Sequence, residues 1–175
     1  MAEATGGVRA GAGTRVAEAI EAGAVAGVIG GVAMVLFLVT FMVATGRFAL
    51  EPLQLFGGTF YGPRALSPAA GFGPVIWGLA LHLAVAAALG IVFSLVVSGD
   101  ADPIVVTTSG IVYGLLAWLL MTFLVLPFVD PMMSRSLADF PFAWFAAHVP
   151  YGATLALASQ FREALSARER ARQRA

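Results

Sequence analysis

The sequence contains no cysteine and no lysine, and only 11% of its 175 residues are charged. Without cysteine there are no disulfides, thiolate zinc sites, iron–sulfur clusters or thioether-attached haem. All ten basic residues are arginine and they balance ten acids, so the charge does not recommend nucleic acid as a partner. "GGTFYG" (57–62) is no phosphate loop, because it lacks the Lys-Ser/Thr ending and follows no strand. No arrangement of Ser, His and Asp suggests nucleophilic catalysis. Enzyme activity is therefore an open question, with a non-enzymatic role favoured.

What is present is apolar. Hydrophobic residues make up 59% of the chain and its mean hydropathy is +0.89, which marks an integral membrane protein. Four segments are long enough to cross a bilayer, since ~20 residues at ~1.5 Å rise cover the ~30 Å hydrocarbon core. They lie near 22–45, 74–97, 104–128 and 140–161, and none contains Asp, Glu, Lys or Arg. The expected fold is an all-α membrane four-helix bundle over 22–161, between an N-terminal segment 1–21 and a basic tail 162–175. The first span is too long for a signal-peptide core and no small-x-small cleavage site follows it, so it is expected to be retained. "MAEATGGVRAGAGT" is small and polar enough to be irregular, whereas "SQFREALSARERARQRA" should carry the last helix onward.

Arg9 and Arg15 precede the first span, and Arg162, Arg168, Arg170, Arg172 and Arg174 follow the last. These arginines put both termini in the cytoplasm. The loops 46–73 and 129–139 then face outward, and the connection "SGDADP" (98–103) faces inward. The longer outer loop is rich in glycine, proline and aromatics and is expected to be irregular and interfacial.

The two halves repeat a pattern. The first span carries Gly23, Gly27 and Gly31 at four-residue steps, and the third carries Gly110 and Gly114. Each ends outside in an acid–proline pair, Glu51-Pro52 and Asp130-Pro131. The second span carries His82, Ala86 and Gly90 at four-residue steps, and the fourth carries His148, Gly152 and Ala156. Trp77 and Trp144 precede the histidines. Two hairpins in parallel are the expectation. The small residues are candidate helix-packing positions, because helices in lipid associate through close backbone approach. With Pro74 and Phe140 as outer starts, each histidine is eight residues in, or ~12 Å deep.

His82 and His148, the only histidines, share a face with their small residues and so point at other helices. Three uses fit them. Each imidazole could hydrogen-bond a neighbouring helix; the pair could be the axial ligands of a b-type haem, giving a membrane electron carrier; or they could form the polar site of a small transporter or quinone-binding protein. Glu51 and Asp130 are candidates for an outer vestibule, and their plainer role is to mark helix ends at the water interface.

With its paired His-x3-small-x3-small helices, glycine-stepped odd spans and "HVPYG" (148–152), the chain resembles the small prokaryotic four-span membrane proteins of the YagU-like group, over roughly residues 22–161. The resemblance implies a multi-pass protein of the prokaryotic inner membrane and supplies no reaction. The role expected is a structural or accessory subunit in the lipid bilayer, as a homo-oligomer or in a larger membrane complex, with no cofactor.

Overall fold

A computed structural model describes residues 2–97 and 101–172, with side chains from residue 13 onward. Ser98–Asp100 of the connection 98–103 and Arg174 of the tail lie outside the described residues. Within these bounds the protein is all helical, with no strand. The elements are α1 (Ala2–Ala44), α2 (Glu51–Tyr61), α3 (Gly73–Val96), α4 (Pro103–Leu120), α5 (Leu126–Val129), α6 (Pro131–Ser136), α7 (Pro141–Thr154) and α8 (Leu157–Arg172). Three stretches are long and apolar enough to cross a membrane: Gly13–Ala44, Gly73–Val96 and Pro103–Val129. At ~1.5 Å per residue each exceeds ~30 Å. Helix α1 begins at Ala2, so the N-terminal stretch is helical and not irregular.

Local chemistry sets the helix ends. α1 stops at Gly46, whose φ of +73° suits glycine, with Arg47 N–H donating to the Met42 carbonyl (2.8 Å) and Gly46 N–H to Val43 (3.1 Å). Arg47 then pairs with Glu51 on α2, which holds the guanidinium above its ordinary pKa, and lies 4.9 Å above the Phe140 ring. α4 starts at Asp102, whose carboxylate accepts from Ile104 N–H (2.8 Å), followed by Pro103 in the first turn.

The segment 46–73, expected to be an irregular outer loop, differs from that expectation. Its first part is α2, and Gly62–Leu66 and Pro68–Ala70 are 3₁₀ turns. Leu53 and Phe56, three apart, bury one face of α2 against the start of α3, where Gly57 sits against the Pro74 carbonyl and Gly78 against that of Leu53. Helical spacing of large apolar residues outweighs the glycine content.

The segment 140–161, expected as one helix, is two. Thr154 donates its hydroxyl to the Tyr151 carbonyl (2.7 Å), the acceptor that Leu155 N–H would otherwise use. Leu155 and Ala156 bond instead to Gly152 and Ala153, three residues back, so the chain tightens before α8 begins.

α1 lies between α3 and α7, and α7 packs on α4. Gly23 faces Gly90, and Gly31 faces Ala86 and Leu83, so α3 runs antiparallel to α1; Gly110 faces Leu155 and Gly114 faces His148, so α7 runs antiparallel to α4. The first pair approaches closely at Gly27, whose missing Cβ leaves room for the Ala86 carbonyl, and at Gly90, which leaves room for that of Gly23. On the second, Gly152 packs on Gly110 and Ile111. Ala156 sits at the tightened turn, half-buried against the core. At the far end from α2, Arg162 of α8 donates to the Ser94 (3.1 Å) and Val97 (3.2 Å) carbonyls, satisfying the last turn of α3.

Candidate functional site

α3 and α4 do not close on each other along the halves nearest α2. Between them is a cavity of about 140 Å³, with α1 and α7 behind it and α2 and α6 contributing its outer wall. Two tyrosines pin the helices behind and below it. Tyr151 on α7 donates to the Ala86 carbonyl (3.0 Å) and Tyr113 on α4 to the Leu89 carbonyl (2.9 Å), both on α3. Val85, 37% exposed, is also part of the wall, so the cavity reaches the bundle surface between α3 and α4.

Both histidines line this cavity, in different ways. His82 bonds through Nε2 to the Gly31 carbonyl on α1 (3.1 Å), and its ring stacks on Phe56 with centroids 4.5 Å apart. A carbonyl only accepts, so the proton is on Nε2 and Nδ1 carries the lone pair. His148 bonds through Nδ1 to the Trp144 carbonyl of its own helix (2.8 Å), which leaves Nε2 as the unprotonated nitrogen. The two rings are opposite tautomers. Only His82 ties one helix to another; on α7 the backbone carbonyl of His148 is itself against Gly114, and the ring folds back along its own helix.

A b-type haem does not suit this geometry. The Nε2 of His82 is turned to α1 and its ring is covered by Phe56, so the two imidazoles do not present matching lone pairs to one space. The cavity, too, is far smaller than a four-pyrrole macrocycle. Among the described residues no three His, Asp or Glu side chains come close enough to share a metal ion.

Glu51 and Asp130 lie off the cavity wall. Glu51 holds Arg47 at the start of α2. Asp130 is 2% exposed; it caps α6 by accepting from Met133 N–H (2.9 Å) and accepts the Thr59 hydroxyl of α2 (3.2 Å). Both acids therefore sit at helix ends, Glu51 in the first turn of α2 and Asp130 between α5 and α6. The tryptophans also diverge, for Trp144 is 1% exposed and edge-on to Phe56, whereas Trp77 is 56% exposed.

The sequence pattern does not single out Trp118 and Thr122. They lie four residues apart, Trp118 on α4 and Thr122 just past its end; both line the cavity, and Trp118 Nε1 and Thr122 Oγ1 are buried without a hydrogen-bond partner. Met121–Val125 winds as a π turn, closed by Leu126 N–H on the Met121 carbonyl. Pro127 just beyond has no N–H to give, and the widened turn is where Met121 and Thr122 meet the cavity. A proline within "TFLVLPF" is the signal that marks this place.

A model of a family of unknown function, DUF6789, matches residues 17–169, and the chain belongs to that family. No curated protein and no solved structure matches the chain.

Proposed function

We propose that this member of the DUF6789 family is a four-span membrane protein that holds a small lipophilic molecule between α3 and α4, as a non-enzymatic binding or accessory subunit. The spans are α1, α3, α4 with its continuation to Val129, and α7 with the first turns of α8. The fourth is supported by the uncharged sequence over 140–161, which the structure winds as α7, a tight turn and the start of α8. Exposed side chains such as Leu36, Val92, Leu116 and Phe123 face lipid, a second copy or a larger complex. The proposed orientation, with both termini in the cytoplasm, is supported by the arginine distribution, and the proposed site, a prokaryotic inner membrane, is supported by the resemblance of its motifs to YagU-like proteins.

Duplication of one hairpin is supported by recurring contacts. Gly27 meets Ala86 as Gly110 meets Gly152, and Gly31 lies by His82 as Gly114 lies by His148. In this register the glycine rows match one turn away from their alignment by sequence order.

The observation that carries the binding reading is the pair of unpartnered polar atoms, Trp118 Nε1 and Thr122 Oγ1, in the wall of a mostly apolar cavity. An unsatisfied buried polar group costs about 1–3 kcal/mol, and a bound molecule that satisfies it recovers that energy. The exposed side at Val85 gives access from the bilayer. Native mass spectrometry of the protein released from detergent with decylbenzene should show one adduct, and Val85→Trp, which fills the mouth, should lose it. Equal adducts on both proteins contradict the reading.

A further inference from the structure

We infer that the molecule held between α3 and α4 is the head of an alkylated quinol: one six-membered ring bearing hydroxyl oxygens, with its tail in the bilayer. The inference rests on the binding role proposed above and names its ligand class.

Size comes first. A dry cavity of about 150 Å³ takes up benzene, so about 140 Å³ is the space of one ring and not of a fused system. The walls are aromatic where a flat ring would lie, with Phe56, Trp118 and Trp144 all reaching the cavity.

Polar complementarity narrows the class. Trp118 Nε1 is a donor only, so it needs an acceptor on the ligand; the Thr122 hydroxyl, on the same face one turn along, can donate or accept. His148 has committed its N–H to Trp144, so its Nε2 accepts only and needs a donor. A carbonyl answers the tryptophan and not the imidazole. A hydroxyl answers either, and a ring with two hydroxyls answers both at once. The Tyr113, Tyr151 and Thr59 hydroxyls already donate to Leu89, Ala86 and Asp130, so their protons are not on offer. No Asp, Glu, Lys or Arg lines the cavity, and an ionised ligand would be desolvated without a counter-charge. The open side at Val85 lets an alkyl tail leave between the helices.

Native mass spectrometry titrations with decylhydroquinone and decylbenzene test this. The parent should bind decylhydroquinone at least tenfold more tightly than decylbenzene. Thr122→Val keeps shape and removes one hydrogen bond, so it should weaken decylhydroquinone about five- to tenfold and leave decylbenzene unchanged. Trp118→Phe removes the other hydrogen bond and also enlarges the cavity, so there the preference for decylhydroquinone over decylbenzene should fall about five- to tenfold. Unchanged decylbenzene binding by Thr122→Val also shows that this variant remains folded. Equal affinity for the two compounds in the parent overturns the quinol assignment while the lipophilic cavity stands. Binding of neither, with Val85→Trp identical to the parent, overturns both.

Discussion

The Tyr151 hydroxyl of α7 bonds the Ala86 carbonyl of α3 at 3.0 Å, and that same carbonyl lies where a Cβ on Gly27 of α1 would be. Three helices therefore meet at one backbone oxygen behind the cavity. Tyr151→Phe removes the hydroxyl and leaves the ring, and it should lower stability in detergent by about 0.5–1.5 kcal/mol, read from thermal unfolding. An unchanged melting curve would mean that α3 and α7 do not depend on this link.

Gly27→Leu and Gly114→Leu should each reduce the yield of folded protein far more than Leu36→Ala. A side chain at Gly27 runs into the Ala86 carbonyl and one at Gly114 into that of His148, whereas Leu36 is 61% exposed. Helices in lipid gain their association from close packing, so separating the backbones removes it, at a cost of about 1–3 kcal/mol or more. Size-exclusion profiles of the three variants are the check, and wild-type behaviour of both leucine variants would make the glycine rows incidental.

The histidines should behave unequally. His82→Ala breaks a bond between α3 and α1 and should cost on the order of 0.6–1.7 kcal/mol, and His148→Ala, whose bond is within α7, should cost less. Neither protein, nor the parent, should show a Soret band when expressed with ample haem. A Soret band in the parent that both alanine variants lose would restore the bis-imidazole haem reading.

Reporters fused before Met1 or after Ala175 should report cytoplasm, and one inserted near Pro68 should report the outside. Terminal arginines outnumber those of the two loops expected outside seven to three, which is the ground for this prediction. Opposite locations for the two termini would mean an odd number of crossings and exclude the fourth span.

The apolar helices and their small-residue contacts were legible because both follow from short-range periodicity: Gly23, Gly27, Gly31, Gly110, Gly114, Gly90 and Gly152 all lie at helix contacts. The pairing register was not, since rows stepped by four residues slide by one turn without changing the pattern. α2 was hidden by its glycines, which pack against Pro74 and Asp130. The tightening at Leu155 depends on a single hydroxyl, Thr154, choosing a backbone carbonyl. Pro127 marks the widened turn in the sequence, but Trp118 and Thr122 became candidates through the hydrogen-bond partners they lack, for which a linear sequence carries no signal.

Photolabelling tests the central claim most directly. An alkylphenol carrying a diazirine on its ring, activated with the protein in lipid nanodiscs and mapped by peptide mass spectrometry, should mark the cavity wall at Val85 on α3 and Met121 beside α4, with excess decylhydroquinone suppressing the label. Labelling spread over lipid-facing positions such as Ile76 and Phe128, undiminished by the competitor, would contradict a binding site between α3 and α4.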